Sequence, residues 1–266
     1  ITGMPFPRRS MRSASAYGDL GVCSTCEFVQ TVGGPINTLT GVVDFSAIDL
    51  SFPALGGDIR FVRTYSTDYV GIATSLGAGW THNLDTRLIF SDQPGGVAGQ
   101  VLVKLHSANE FIFIEVSNPA VAGTPGAVTY QPNPGVLAAL VKDSANNRYL
   151  LTTKDQGVYV FKDSVGAPDH GKLISWTDSQ GHVQTYAYDP TTGLLTGVTA
   201  GDRTLTITYS GGRIQSVQDH TGRSASFGYD GNGDLTSVTD VRGEVWTYAY
   251  DGASHRLATV TDPDGR

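Results

Sequence analysis

The C-terminal part of the chain, from about residue 171, repeats itself roughly every 21 residues, and so short a period admits few folds. "GKLISWTDSQGHVQTYAYD", "GRIQSVQDHTGRSASFGYD", "GDLTSVTDVRGEVWTYAYD" and "HRLATVTDPDGR" each open on Gly or, in the last copy, His255. An aliphatic residue stands two positions on, followed by Trp176, Val217, Val238 or Val260. Asp-x-x-Gly comes next, as Asp178 to Gly181, Asp219 to Gly222, Asp240 to Gly243 and Asp262 to Gly265. A fifth copy, "GLLTGVTAGDRTLTITYS", carries Ala200 in place of the Asp and has a shorter turn. The closing tyrosines Tyr188, Tyr209, Tyr229 and Tyr250 are spaced by 21, 20 and 21 residues.

The chemistry of one unit predicts its shape. Asp at the first position of a type I turn accepts from the backbone ahead of it, and Gly at the fourth takes the conformation that re-enters a strand. Each Asp-x-x-Gly therefore closes a hairpin, and the later Tyr-Asp turn closes the next. Trp246, Tyr248 and Tyr250 alternate along one strand and so share a face. Together with Trp176, Tyr188, Tyr209 and Tyr229 they form aromatic rows that a single unit cannot bury and stacked units can. Leu235 and Val238 are three apart, which breaks strict alternation and calls for a bulge or bend in the first strand of every unit. The expected fold is all-β: antiparallel hairpin repeats winding as a curved or spiral sheet.

Composition agrees. Asp outnumbers Glu by 21 to 4, Lys occurs 5 times, and Gly 33 times in 266 residues. Asp and Gly favour turns, and Glu and Lys favour helices, so the balance is that of many strands joined by tight turns. Ahead of the repeats, 1–34 reads as an extended irregular arm and 35–170 as a β-rich region. In "DIRFVRTYS", Ile59, Phe61, Arg63 and Tyr65 share one face. "VLVKLH" with "NEFIFIEV", and "RYLLTTKDQGVYVFKD" turning at Asp155-Gln156-Gly157, read as hairpins. The Pro- and Gly-rich span 117–136 reads as a surface loop, and a turn or two of helix is expected near Gly135–Val141.

The net charge of −7 offers no positive field for nucleic acid or anionic lipid. The basic cluster Arg8, Arg9 and Arg12 reads as solvated. No apolar run reaches the ~20 residues of a membrane-spanning helix. The chain shows no signal peptide and starts at Ile1, which reads as a processed product or an excised piece. Cys23 and Cys26, in "CSTC", have no second metal-ligand pair and are expected to form a small disulfide loop or stay reduced. Asp230, Asn232 and Asp234 alternate as calcium ligands do, but an EF-hand count from Asp230 puts Leu235 where Gly is needed and Val241 where an acid is needed, so no metal is expected. His182 and His220 fall at repeat turns and read as solvated, while His82, near Trp80, reads as a hydrogen-bonded structural residue. No nucleophile elbow, metal-binding His motif or nucleotide fingerprint appears. The expectation is no enzyme, no cofactor and no catalytic residue.

This pattern resembles the YD repeat of Rhs proteins, teneurins and insecticidal toxin complexes. "GPINTLTG" (Gly34–Gly41), "FVRTYS", "LGAGWTHNLDTRL" (Leu76–Leu88) and "LTTKDQGVYVFKD" are similar to the segments that precede the repeats in Rhs-type proteins. The resemblance implies a β-sheet winding into a shell or stalk, extracellular or at the cell surface. The partners it implies are further YD repeats, other copies of the chain or a toxin cargo. Two other readings stand beside it. In one, the arm 1–34 adds as a strand to the repeat edge of the next copy, making filaments. In the other, the Tyr and Trp rows stack on glycans.

Overall fold

The computed structural model describes residues 43–72, 74–105, 109–116 and 129–266. The arm 1–34 with Cys23 and Cys26, the segment Gly34–Gly41, residues 106–108 and the first part, 117–128, of the expected surface loop lie outside these residues. Two antiparallel sheets account for every strand among them. The smaller contains β1 (Asp44–Phe52), β2 (Ile59–Ser66) and β3 (Trp80–His82). The larger is a meander of sixteen strands in chain order. Its first half holds β4 (Arg87–Ile89), β5 (Gln100–Leu105), β6 (Asn109–Val116), β7 (Thr129–Pro132), β8 (Ala138–Asp143), β9 (Arg148–Thr153) and β10 (Val158–Lys162). The repeats supply β11 (Leu173–Thr177), β12 (Val183–Tyr188), β13 (Leu195–Ala200), β14 (Arg203–Ser210) and β15 (Arg213–Asp219). They continue through β16 (Ser224–Tyr229), β17 (Leu235–Thr239), β18 (Val245–Asp251) and β19 (Arg256–Thr261).

The all-β, repeat-hairpin expectation holds, and so do the local hairpins. β5 pairs with β6, and β9 with β10 around Gln156, which takes the left-handed φ of 67° that the tight turn needs. Two expectations are corrected. The segment near Gly135–Val141 is no helix: its C-terminal part begins β8, held between β7 and β9. Leu140 points inward there while Ala139 and Val141 are exposed, so pairing on both sides overrides the helix propensity of the Ala-Leu run. The loop expected over 117–136 also contains a strand, β7, at Thr129–Pro132.

Strands β4–β11 curl round one core of Leu88, Val101, Val103, Leu105, Phe113, Tyr130, Leu140, Tyr149, Leu151, Tyr159, Phe161 and Leu173. The curl brings the edge strand β4 onto the segment leading into β11, where Leu88 N–H donates to Gly171 O at 2.8 Å and Arg87 bridges to Lys172. The second core lies between the two sheets. Leu50, Phe52, Ile59, Phe61, Tyr65, Leu76, Trp80 and Leu84 from the first sheet and its loops meet one face of the repeats. That face presents Leu195, Val198, Ala200, Leu205, Ile207, Ile214, Val217, Ala225, Phe227, Leu235, Val238 and Tyr248. The aromatic rows are thus buried partly against one another and partly beneath a small sheet that precedes them in the chain.

Candidate functional site

The Asp-x-x-Gly turns are four copies of one structure. In each, the Gly N–H donates to the Asp carbonyl, at 3.1 Å for Asp178–Gly181 and 3.0 Å for Asp219–Gly222, Asp240–Gly243 and Asp262–Gly265. Each Asp Oδ1 accepts from the N–H groups two and four residues on, as in Gln180 and His182 to Asp178 at 2.8 and 2.9 Å. The glycines take φ of 83–90°, which makes each loop a type I turn closed by a left-handed residue. The His182 side chain, helped by backbone donors, holds the Asp178 carboxyl below the usual carboxylate range; against burial, the Thr221 and Arg223 side chains with backbone donors do so at Asp219, and the Glu244 and Arg242 N–H groups with the Arg242 side chain at Asp240. Asp230 closes the same turn with Gly233, accepting from Asn232 and Asp234 N–H at 2.9 Å each. Asp189 and Asp251 close turns one residue longer, ending on Gly193 and on His255, which occupies the glycine position with φ of 55°. Gly222→Ala tests the turn in isolation, since a Cβ there meets nothing within 4 Å and only the left-handed φ of 90° opposes it. Urea melts should show a loss of about 1–2 kcal/mol.

The bulge is present and falls at the same place each time. Register slips by one residue opposite Tyr188, Tyr209, Tyr229 and Tyr250, leaving Thr196, Gln215, Thr236 and Ala258 unpaired. Thr196 and Thr236 turn their hydroxyls onto the carbonyls of Ala187 and Gly228 at 3.1 and 3.2 Å. The closing tyrosines then form a ladder. Tyr209, Tyr229 and Tyr250 donate at 2.8 Å to the carbonyls of Leu195, Ile214 and Leu235, the aliphatic residues paired with the preceding tyrosine. Each unit is thereby hydrogen-bonded to the one before it through a side chain as well as through the sheet. Burial pushes the hydroxyls of Tyr209, Tyr229 and Tyr250 well above the usual tyrosine range.

The first sheet engages this ladder through one polar cluster. Arg63 Nε reaches both carboxylate oxygens of Asp49 at 2.8 and 2.9 Å, and both side chains are about 2–3% exposed. The guanidinium lies 5.1 Å from the ring centroids of both Trp80 and Tyr248 and donates to the Tyr248 hydroxyl. Trp80 Nε1 donates to Tyr250 Oη at 2.7 Å, and Leu257 N–H donates to Tyr65 Oη at 2.9 Å. Burial lifts the Asp49 carboxyl to about 6 against the pull of Arg63, still below neutral pH. The loop between β2 and β3 is pinned as well: Ile214 N–H donates to Ser75 O at 2.9 Å, and Arg213 reaches Thr74 O. Gly77 abuts Gly233 O, and Gly79 abuts the Tyr65 ring so closely that a Cβ would lie 2.4 Å from it.

The structure brings together Tyr188, Tyr209, Tyr229, Trp246, Tyr248 and Tyr250 around the inter-sheet core. Trp176 packs instead on the core of the first half, beside Tyr159. The turn residues line the ends of the hairpins and do not converge. Two histidine readings are corrected. His82 is buried and stacked on Phe61 at 5.2 Å, and its Nδ1 has no hydrogen-bond partner among the described residues, so stacking rather than hydrogen bonding places it. His220 is half-buried rather than solvated, its ring tilted against Phe52 at 5.1 Å with Arg203 at 2.8 Å from Nε2. The Asp49–Arg63–Tyr248 cluster was not foreseen. Its signal in the sequence was Arg63, a charge on the apolar face of β2, which requires a buried partner.

Comparison with known proteins fits this geometry. The RHS Repeat family model matches residues 168–213 and 229–266, and the model of a domain of unknown function, DUF6531, matches 33–110. No curated protein matches. Among solved structures, the N-terminal domain of effector protein SpvB from Salmonella typhimurium is 11% identical with a TM-score of 0.44, over 80% of this chain and 98% of that one. The TcdB2-TccC3-Cdc42 structure is 15% identical with a TM-score of 0.32, over 84% of this chain but 14% of that one. TcdB2-TccC3 without its hypervariable C-terminal region is 15% identical with a TM-score of 0.30, over 85% of this chain and 15% of that one. These overlaps are partial, and the assignment rests on the family models and on the recurring turn, bulge and tyrosine. Residues 168–213 and 229–266 are thus RHS, or YD, repeats of the Rhs type, and a DUF6531 segment at 33–110 precedes them.

Proposed function

We propose that this chain is a structural segment of a shell or stalk outside the cell or at its surface, built to be extended by further YD repeats and to stand around or beside a toxin cargo. The observation that carries the reading is that the units after the degenerate copy add two strands each in one register, with one bulge and one tyrosine bond, to a single sheet. Such a sheet grows by simple addition, and among the described residues β19 is its edge strand, the kind of place that recruits a further strand. Light scattering and electron micrographs of the purified chain test this. A 28.1 kDa monomer, or adducts without regular form, is expected of a segment. Regular filaments or closed rings would overturn the reading in favour of a self-assembling protomer joined by strand addition. The glycan-stacking alternative draws no support from the rings, which pack on the core and spend the hydroxyls of Tyr209, Tyr229 and Tyr250 on backbone carbonyls.

A further inference from the structure

The tyrosine ladder has one break. By its period, Tyr188 should donate to the carbonyl of Leu173, as Tyr209 does to Leu195. Among the described residues no such bond forms, and Tyr188 instead lines a cavity of about 270 Å³ where the β3–β4 corner meets the first repeats. Arg87, Lys172, Asp85 and His82 line the same cavity. The charges in this wall do not balance. Lys104 Nζ lies 2.6 Å from Asp85 Oδ2, and Arg87 lies 3.3 Å from Asp85 Oδ1, so both oxygens of the one carboxylate are engaged by two cations. Lys172 is a third cation, and among the described residues no carboxylate lies within 4 Å of its amine. Burial lowers its pKa, the mark of an ammonium that lacks a close counter-charge. His82 is about 5% exposed, and among the described residues its Nδ1 finds no hydrogen-bond partner.

We propose that this cavity binds a small oxyanion, a carboxylate or phosphate group, received by Lys172 and Arg87 with the Tyr188 hydroxyl as a further donor. An anion placed there supplies the missing counter-charge and gives Tyr188 the acceptor that the ladder denies it. Charge-assisted bonds from a desolvated ammonium and a guanidinium are the strong kind, and Arg suits the planar geometry of either group. The site sits on the seam between the pre-repeat region and the repeats, so an occupant would touch both.

Isothermal titration of the whole chain at low salt, with inorganic phosphate and with acetate as separate probes, tests the proposal. Saturable 1:1 binding of at least one anion is expected in the millimolar range or tighter. Phosphate binding the tighter points to a phosphate-bearing ligand, and acetate to a carboxylate. Lys172→Met should weaken binding about 10-fold or more, and Tyr188→Phe several-fold. Tyr250→Phe, on a rung whose hydroxyl meets only Leu235 and Trp80, neither of which lines the cavity, should leave it unchanged. Lys172→Met removes a charge without a close partner, so without anion it should melt at or above the wild-type temperature. The proposal is overturned if neither anion binds saturably to the wild-type chain, or if binding survives both Lys172→Met and Tyr188→Phe.

Discussion

Arg63→Ala should cost about 3–5 kcal/mol of stability, the usual result of breaking one side of a buried ion pair. The substitution leaves the Asp49 carboxylate about 3% exposed without its cation and deprives the Tyr248 hydroxyl of its donor. It also removes the guanidinium packed beside the Trp80 and Tyr248 rings, which meet edge to face at 5.2 Å. For a chain of this size the melting temperature should fall by roughly 6–20 °C. The double variant Asp49→Leu/Arg63→Met, which removes both charges and keeps the volume, should recover most of the loss, because desolvating two ions offsets much of what their attraction contributes. The near-ultraviolet signal of Trp80 should weaken in the single variant and return in the double one. A cost below about 1 kcal/mol for Arg63→Ala would mean that the cluster does not join the sheets.

The second large effect is a loss of stability in acid through His82. Burial holds this imidazole near pKa 4, against 6.5 when free. Between those values the unfolded chain binds a proton that the folded chain refuses, so stability is fully present above pH 6.5 and falls as pH drops to about 4. At ~1.4 kcal/mol per pH unit the window amounts to about 3 kcal/mol. Asp49, raised to about 6, acts with opposite sign over part of the same range, since its folded form holds the proton more tightly. Asp85 is held far below the usual carboxylate range by Lys104 and Arg87 despite its burial, and its contribution is lost only in stronger acid. Comparison with His82→Phe, which keeps a ring against Phe61, isolates the histidine. Denaturant melts from pH 7 to pH 4 should show the wild type losing about 3 kcal/mol more than the variant, whereas parallel curves would assign the acid sensitivity elsewhere.

The parts of this fold that could be read from the sequence are the local ones. Asp219 and Gly222 specify their turn within five residues, because the carboxylate accepts from Thr221 and Arg223 N–H and the glycine supplies a φ of 90°. The bulge was legible because Leu235 and Val238 both had to face inward from positions three apart, and both do. What covers the repeat face was not legible. Arg63 meets Tyr248 across 185 positions, Trp80 meets Tyr250 across 170, and Leu257 meets Tyr65 across 192. Nothing in the period of either segment encodes those contacts. "DIRFVRTYS" announced a buried face with a charge on it but not which surface would receive it. The helix expected near Gly135–Val141 failed for the same reason, since its strand neighbours, β7 and β9, decide it. The cavity escaped because it arises where a regular ladder stops, at Tyr188, and the repeat pattern itself marks Tyr188 as equivalent to the others.

Native-state hydrogen exchange, read by mass spectrometry of peptides, tests most directly the central claim that the small N-terminal sheet is built into the repeats as their cover. The amides of β1 and β2 should be protected to the same degree as those of β13–β18 and should open together with them in Arg63→Ala. Rapid exchange of β1 and β2 in the wild-type chain, with β13–β18 still protected, would contradict the account.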